Sequence, residues 1–193
     1  MLKDGNMDFY YKPYRNIENV LMDSKCAFLL YVCSQHYRTK AARNRFIRGL
    51  NNILDNDLCY GLGINKNNIR PEHVTHHFLW YVECLLADML YANNAHLTLL
   101  VNKTNVPFVT TDQPVINVLA DYQNISEEVE DVLLYYPISP EIAITINDNN
   151  LENVMEIEEE VVEQYNNKLV ESSYEYIFAN SKESLERYLL ERS

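Results

Sequence analysis

Five cations crowd into eleven residues of "SQHYRTKAARNRFIR": Arg38, Lys40, Arg43, Arg45 and Arg48. Arginine presents a rigid planar fork of five donors, a shape suited to a carboxylate or a phosphate. Read as one helix, steps of three and four residues put Gln35, Arg38, Ala42 and Arg45 on one face. Further along, "VPFVTTDQPV" runs β-branched residues into Thr110, Thr111, Asp112 and Gln113 and stops at Pro114. Proline pushes the preceding residue out of the helical region and fixes a bend. The polar side chains should therefore stand just beyond a strand end. There Asp112 can accept hydrogen bonds from backbone amides or from Arg38.

Two chemistries follow from an Arg38–Asp112 meeting. In one, Gln35, Arg38 and Asp112 converge in a cleft as catalytic residues, with Asp112 as base or metal ligand. Thr39, Arg45, Thr110 and Thr111 then bind a phosphate-bearing substrate, a nucleotide or nucleic acid. In the other, Arg38 and Asp112 form a conformational network that locks the early helices to the sheet of a structural or regulatory interaction module. Breaking a partly buried pair of that kind costs roughly 3–5 kcal/mol, so a structural pin is as natural as a catalytic pair.

Other motifs are weaker. His73 and His77 are i and i+4, with Cys84 seven further on, a spacing that can present zinc ligands on one helix face. A fourth ligand and the H-E-x-x-H order are lacking, so no metal site is assigned. Arg70 and His76 fit the R-x(4–6)-H spacing of a helical ribonuclease family, with Pro71 sitting awkwardly inside the motif. "YGLGINKNN" offers only G-x-G, without the third glycine or the flanking strand of a dinucleotide loop, and reads as a turn. No motif names a cofactor.

The elements that must position these residues show in the periodicity. "IENVLMDSKCAFLLYVCSQHYRTKAARNRFIRGLNNIL" keeps Ile17, Val20, Leu21, Phe28, Leu29, Val32 and Cys33 at helical spacing. Asp23 or Ser24 is placed to cap a second helix within the run. A loop should follow at Gly61 and Gly63. Pro71 and Glu72 suit the first turn of another helix, with Val74, Phe78, Tyr81, Leu85 and Met89 on one stripe and Asn93 and Asn94 as stops. The period then changes. "HLTLLVN", "PFVTT", "VLLYYPIS" and "EIAITIND" read as short strands, "EEEVVEQYNNKLVESS" as helix, "YEYIFAN" as a last strand and "SKESLERYLLERS" as a helix capped by Ser181. Helices first and strands later argue for α+β, with N-terminal helices on a small, mainly antiparallel sheet followed by C-terminal helices. The expectation is one domain over 1–193, helical over about 16–94 and sheet-containing over about 95–193.

Bulk properties narrow the classes. A formal net charge of -12 and a pI near 4.8 repel phosphate backbones and argue against non-specific nucleic-acid binding, while leaving room for a local basic patch. Cys26, Cys33, Cys59 and Cys84 form no C-x-x-C pair and read as buried free thiols, which suits a reducing cytoplasm. The N-terminal residues lack the apolar stretch of a signal peptide, and "CAFLLYVC" is far too short to span a bilayer. A cytoplasmic location without a membrane partner is expected; nothing names another partner.

Four stretches together resemble a bacterial family, the domain-of-unknown-function family 4238. They are "FLLYVCSQHYRTKAARNRF" with Gln35, Arg38 and Thr39; "VPFVTTDQPV" with Thr110 to Pro114; "YYPISPEIAITI" with Tyr136, Pro137, Ser139 and Pro140; and "NKLVESSYEYIFAN" with Asn166 or Asn167. The similarity covers roughly residues 26 to 180. Thr111 and Gln113 stand where the family more commonly has Ser and Asn. The resemblance implies a shared polar site and no particular activity.

Overall fold

The computed structural model describes residues 24–55, 69–120, 131–147 and 152–189. The readings at Ile17 to Leu21, at the Gly61–Gly63 turn and at Cys59 lie outside these residues.

Three helices come first: α1 (Ser24–Tyr37), α2 (Lys40–Asp55) and α3 (Pro71–Ala92). α1 buries Cys26, Leu29, Val32 and Cys33, the three-and-four pattern of one apolar face. The single long helix expected through the basic run is broken at Arg38–Thr39. Thr39 is the physical reason. Its hydroxyl oxygen accepts the N–H of Ala42 at 3.2 Å, the N-cap arrangement that starts a new helix. α3 opens on Pro71, whose missing N–H costs nothing at a first turn. It closes where Asn94 adopts a positive φ of 53°, which Asn tolerates better than most residues.

The stripe of Val74, Phe78, Tyr81, Leu85 and Met89 does share a face, but that face points outward, each side chain 42–47% exposed. α3 buries Thr75, Glu83, Cys84, Ala87 and Leu90 instead. It is apolar nearly all round, so its pattern says which residues travel together and not which side turns inward.

Strands β1 (His96–Asn102), β3 (Ile116–Asn117), β4 (Leu134–Pro137), β5 (Ile142–Asn147) and β6 (Val154–Ile157) form one sheet in the order β3-β4-β5-β1-β6. All pairings are antiparallel except β1 with β6, a strand the periodicity does not predict. β2 (Thr110–Thr111) pairs separately and antiparallel with β7 (Ile177–Phe178). Helices α4 (Glu159–Ser172) and α5 (Lys182–Leu189) complete the described chain, α5 capped by Ser181, whose Oγ accepts the Ser184 N–H at 3.2 Å. The fold is α+β, as expected.

Strand alternation separates two cores. Leu134, Ile144 and Ile146 pack with Leu29, Val32 and Cys33 of α1 and Ala87 and Leu90 of α3. Tyr135 and Ala143, one step out of phase, pack with Val162 and Leu169 of α4. The sheet thus lies between a helical pair and α4, and β5 is buried along most of its length.

Asn166 of α4 is sealed from solvent and ties the chain around itself. Its Oδ1 accepts the Val109 N–H at 3.1 Å, and its Nδ2 donates to the Pro107 carbonyl at 2.9 Å and the Tyr188 hydroxyl at 2.8 Å. Asn166→Ala should destabilise the fold by ~2–4 kcal/mol, because the Val109 N–H and Pro107 carbonyl lose their amide partner away from water. Urea unfolding measures this, and a loss below ~1 kcal/mol would contradict the burial and bonding described here.

Candidate functional site

The break between α1 and α2 is held by one side chain from the strand end. Gln113 is 0% exposed. Its Nε2 donates to the carbonyls of His36 at 2.9 Å and Val115 at 3.0 Å, and its Oε1 accepts from the Thr39 hydroxyl. Its backbone is fixed as well: the Gln113 N–H donates to Thr111 Oγ1 at 3.1 Å, and the Thr111 hydroxyl donates back to the Gln113 carbonyl at 3.0 Å. His36 Nδ1 lies 2.8 Å from the Val115 carbonyl, which requires the proton on Nδ1. Burial pushes the His36 pKa down to about 4, opposed by that hydrogen bond and assisted by Arg45, so the ring is neutral at pH 7.

Asp112 faces the other way. Its Oδ1 and Oδ2 accept the backbone N–H groups of Tyr174 at 2.9 Å and Glu175 at 2.7 Å, and its own N–H donates to the Tyr176 carbonyl at 3.2 Å. It fixes the approach to β7 onto β2. The expected Arg38–Asp112 pair is therefore corrected: both carboxylate oxygens are engaged by the turn after α4, and Arg38 pairs with another acid.

That acid is Glu83 of α3. Arg38 Nη2 lies 3.7 Å from Glu83 Oε1, with the Arg38 side chain 69% exposed and the Glu83 side chain 4% exposed. Burial raises the Glu83 pKa above its ordinary value; Arg38, a hydrogen bond with Ser34 and the charge of His76 pull it partly back. The neighbouring thiols feel the same surroundings. Burial, reinforced by the Glu83 charge, pushes Cys33 up to about 12 and Cys84 to about 11. Cys26, Cys33 and Cys84 are buried free thiols, as the sequence suggested.

An open cleft of about 1020 Å³ lies between the α1–α2 break and α3. Arg38, Lys40 and Arg43 line one wall; His76, Trp80 and Glu83 line the other. Three cations gather here in an acidic chain, Arg38 paired with Glu83. Lys40 also ion-pairs with Glu175 and stands 4.9 Å from the centre of the Tyr174 ring. Of the residues picked from sequence, Arg38 and Thr39 line this cleft. Gln35, Arg45, Thr110, Thr111 and Asp112 do not. Thr110 and Thr111 form β2, and Arg45 acts on the site through its charge beside His36 and Tyr37. Glu83 escaped sequence reading, although a lone acid inside "FLWYVECLL" was the available signal. Among the described residues no group of three or more His, Cys, Asp or Glu could hold a metal ion.

The family described as "Protein of unknown function (DUF4238)" matches residues 12–183. The chain belongs to that family. The family's span includes the α1–α2 break, the Thr110–Pro114 strand end, α3 and α4, so the cleft and its framework both lie within it. No curated protein and no solved structure matches the chain. Among the described residues no helix is long and apolar enough to cross a membrane.

The raised pKa of Glu83 fixes the sign of a pH effect. A carboxyl whose folded pKa exceeds its unfolded value contributes stability that is present below the unfolded value, near 4.5, and is lost as pH rises through the folded one. Glu83→Gln removes that loss. Its melting temperature should exceed that of the unaltered chain at pH 7, by about 2–4 °C per kcal/mol recovered, and the gap should close towards pH 4. A lower melting temperature at pH 7 than at pH 4, relative to the unaltered chain, would contradict the assignment.

Proposed function

We propose that this protein binds a phosphate-bearing ligand in the cleft between the α1–α2 break and α3, with Arg38 and Arg43 on the anion. One observation carries the reading: an arginine more than two-thirds exposed is tethered at 3.7 Å to a carboxylate almost wholly buried at the cleft wall. A surface ion pair would leave both partners wet, and a structural one would bury both. Here the acid is withdrawn and the guanidinium is left with donors directed to solvent, an arrangement suited to a fork-shaped clasp on phosphate. The gathering of Arg38, Lys40 and Arg43 at one cleft in a chain of net charge -12 supports the same reading.

An enzyme reading draws on the same cleft. Glu83 has a raised pKa and stands in the cleft with His76, and a carboxyl perturbed in this way is common where protons are transferred. In that reading Glu83 and His76, rather than Asp112, handle the proton, and Arg38 holds the substrate phosphate. The rival reading as a structural or regulatory module keeps its support at the strand end, where Asp112 and Gln113 make framework contacts.

Trp80 is the chain's single tryptophan and lines the cleft, so its emission reports occupancy directly. Inorganic phosphate, pyrophosphate and adenosine monophosphate should shift that emission saturably. Arg38→Gln and Arg43→Gln should each weaken binding by about tenfold, as expected for the loss of a charge-assisted contact. A response absent for all three compounds at millimolar concentration, or unchanged in both variants, would overturn the proposal.

A further inference from the structure

Beyond the cleft, the chain after α4 displays aromatic rings that its core does not use. Tyr174, Tyr176 and Phe178 are 42%, 59% and 53% exposed, whereas Ile177 between the last two packs inward against Val109, Val170 and Tyr188. The Tyr176 and Phe178 rings lie 6.3 Å apart and 27° from parallel, stacked at the start of β7. Left in water, such rings gain little of the stabilisation that burial gives. The segment is nevertheless held firmly: Asp112 binds the N–H groups of Tyr174 and Glu175 and the carbonyl of Tyr176, and β7 pairs with β2. The scaffold fixes three exposed rings in place.

Lys40 joins this ladder to the cleft. It lines the cleft, sits over the Tyr174 ring and pairs with Glu175. Through Lys40 the cleft cations adjoin Tyr174, the first ring of the segment.

We infer that the ligand of the cleft is the end of a short single-stranded nucleic acid, whose phosphates meet Arg38, Lys40 and Arg43 and whose following bases stack on Tyr174, Tyr176 and Phe178. The inference rests on the cleft reading above and deepens it. Cationic grooves beside exposed aromatic rings are how single strands are held without base-pair readout, because every base offers a π-face and every linkage a charge. Charge complementarity selects this occupant over an acidic or neutral peptide. The cleft cations reach two or three phosphates, and the net charge of -12 disfavours a longer footprint on duplex or extended strand.

The experiment compares ligands on the full chain. Adenosine monophosphate and oligoadenylates of about eight residues, as DNA and as RNA, are titrated against Trp80 emission and, for labelled oligomers, anisotropy. The oligomers should bind at least about tenfold tighter than the mononucleotide, with a log–log salt slope near -1.4 for two phosphates at about -0.7 each. Tyr176→Ser and Phe178→Ser, both surface changes, should each weaken the oligomer about fivefold or more and leave the mononucleotide unchanged. A preference of one sugar over the other identifies the natural strand and leaves the inference standing. Mononucleotide binding with no oligomer advantage, or no effect of either variant, overturns the inference while the cleft reading survives. No response to any phosphate compound removes the cleft reading itself. A concentration-dependent dimer dissolved by Tyr176→Ser, with no oligomer effect, overturns the inference in favour of self-association.

Discussion

A glutamine amide sealed from water must satisfy two donors and an acceptor, or leave an unpaired group at a cost of ~1–3 kcal/mol. Gln113 meets all three needs at once, and two of its bonds reach the α1–α2 break, 74 and 77 residues away in the chain. The kink therefore follows from the polar bookkeeping of one buried side chain, and the kink decides that Arg38, Lys40 and Arg43 point across a gap at α3 and do not continue down one helix face. Thr39 serves both sides of this junction, capping α2 and donating to Gln113.

The strand end works as a two-sided clamp. Gln113 grips the helical layer, while its neighbour Asp112 grips the turn after α4 and hence the approach to β7. The cationic wall of the cleft and the aromatic segment after α4 are both referred to the same few residues. Rigidity here matters for recognition, since groups held in place before binding lose less freedom when a ligand arrives. Against this fixed frame Glu83 stands out, its carboxyl buried beside thiols and only partly compensated by Arg38. Perturbed groups of that kind cluster at functional sites.

Sequence reading located the parts better than their pairings. β1, β5, α4 and the Ser181 cap follow from period and turn chemistry, which act locally and are written in consecutive residues. The docking of the early basic segment beside the threonine-bearing strand end also followed, because polar residues at a broken strand need partners. The partner itself was misassigned. Charge favours Arg38 with Asp112, but Asp112 lies next to two unsatisfied backbone N–H groups, and proximity of that kind is invisible until the chain after α4 has been placed. Glu83 was hidden for a similar reason: a single acid on an apolar helix reads as a surface residue unless the inward face is known. The stripe from Val74 to Met89 is real but turns outward, since α3 offers apolar residues on every side and the sheet's position decides which are covered.

The central claim is that the Gln113 amide and the Thr39 hydroxyl together hold the break that aims the cleft cations. A double-mutant cycle on Gln113→Ala and Thr39→Val, read by urea unfolding, isolates that bond from the capping that Thr39 also provides. The account predicts a coupling of ~1–2 kcal/mol between the two sites, within the range for residues sharing one buried hydrogen bond. Strictly additive losses would contradict it.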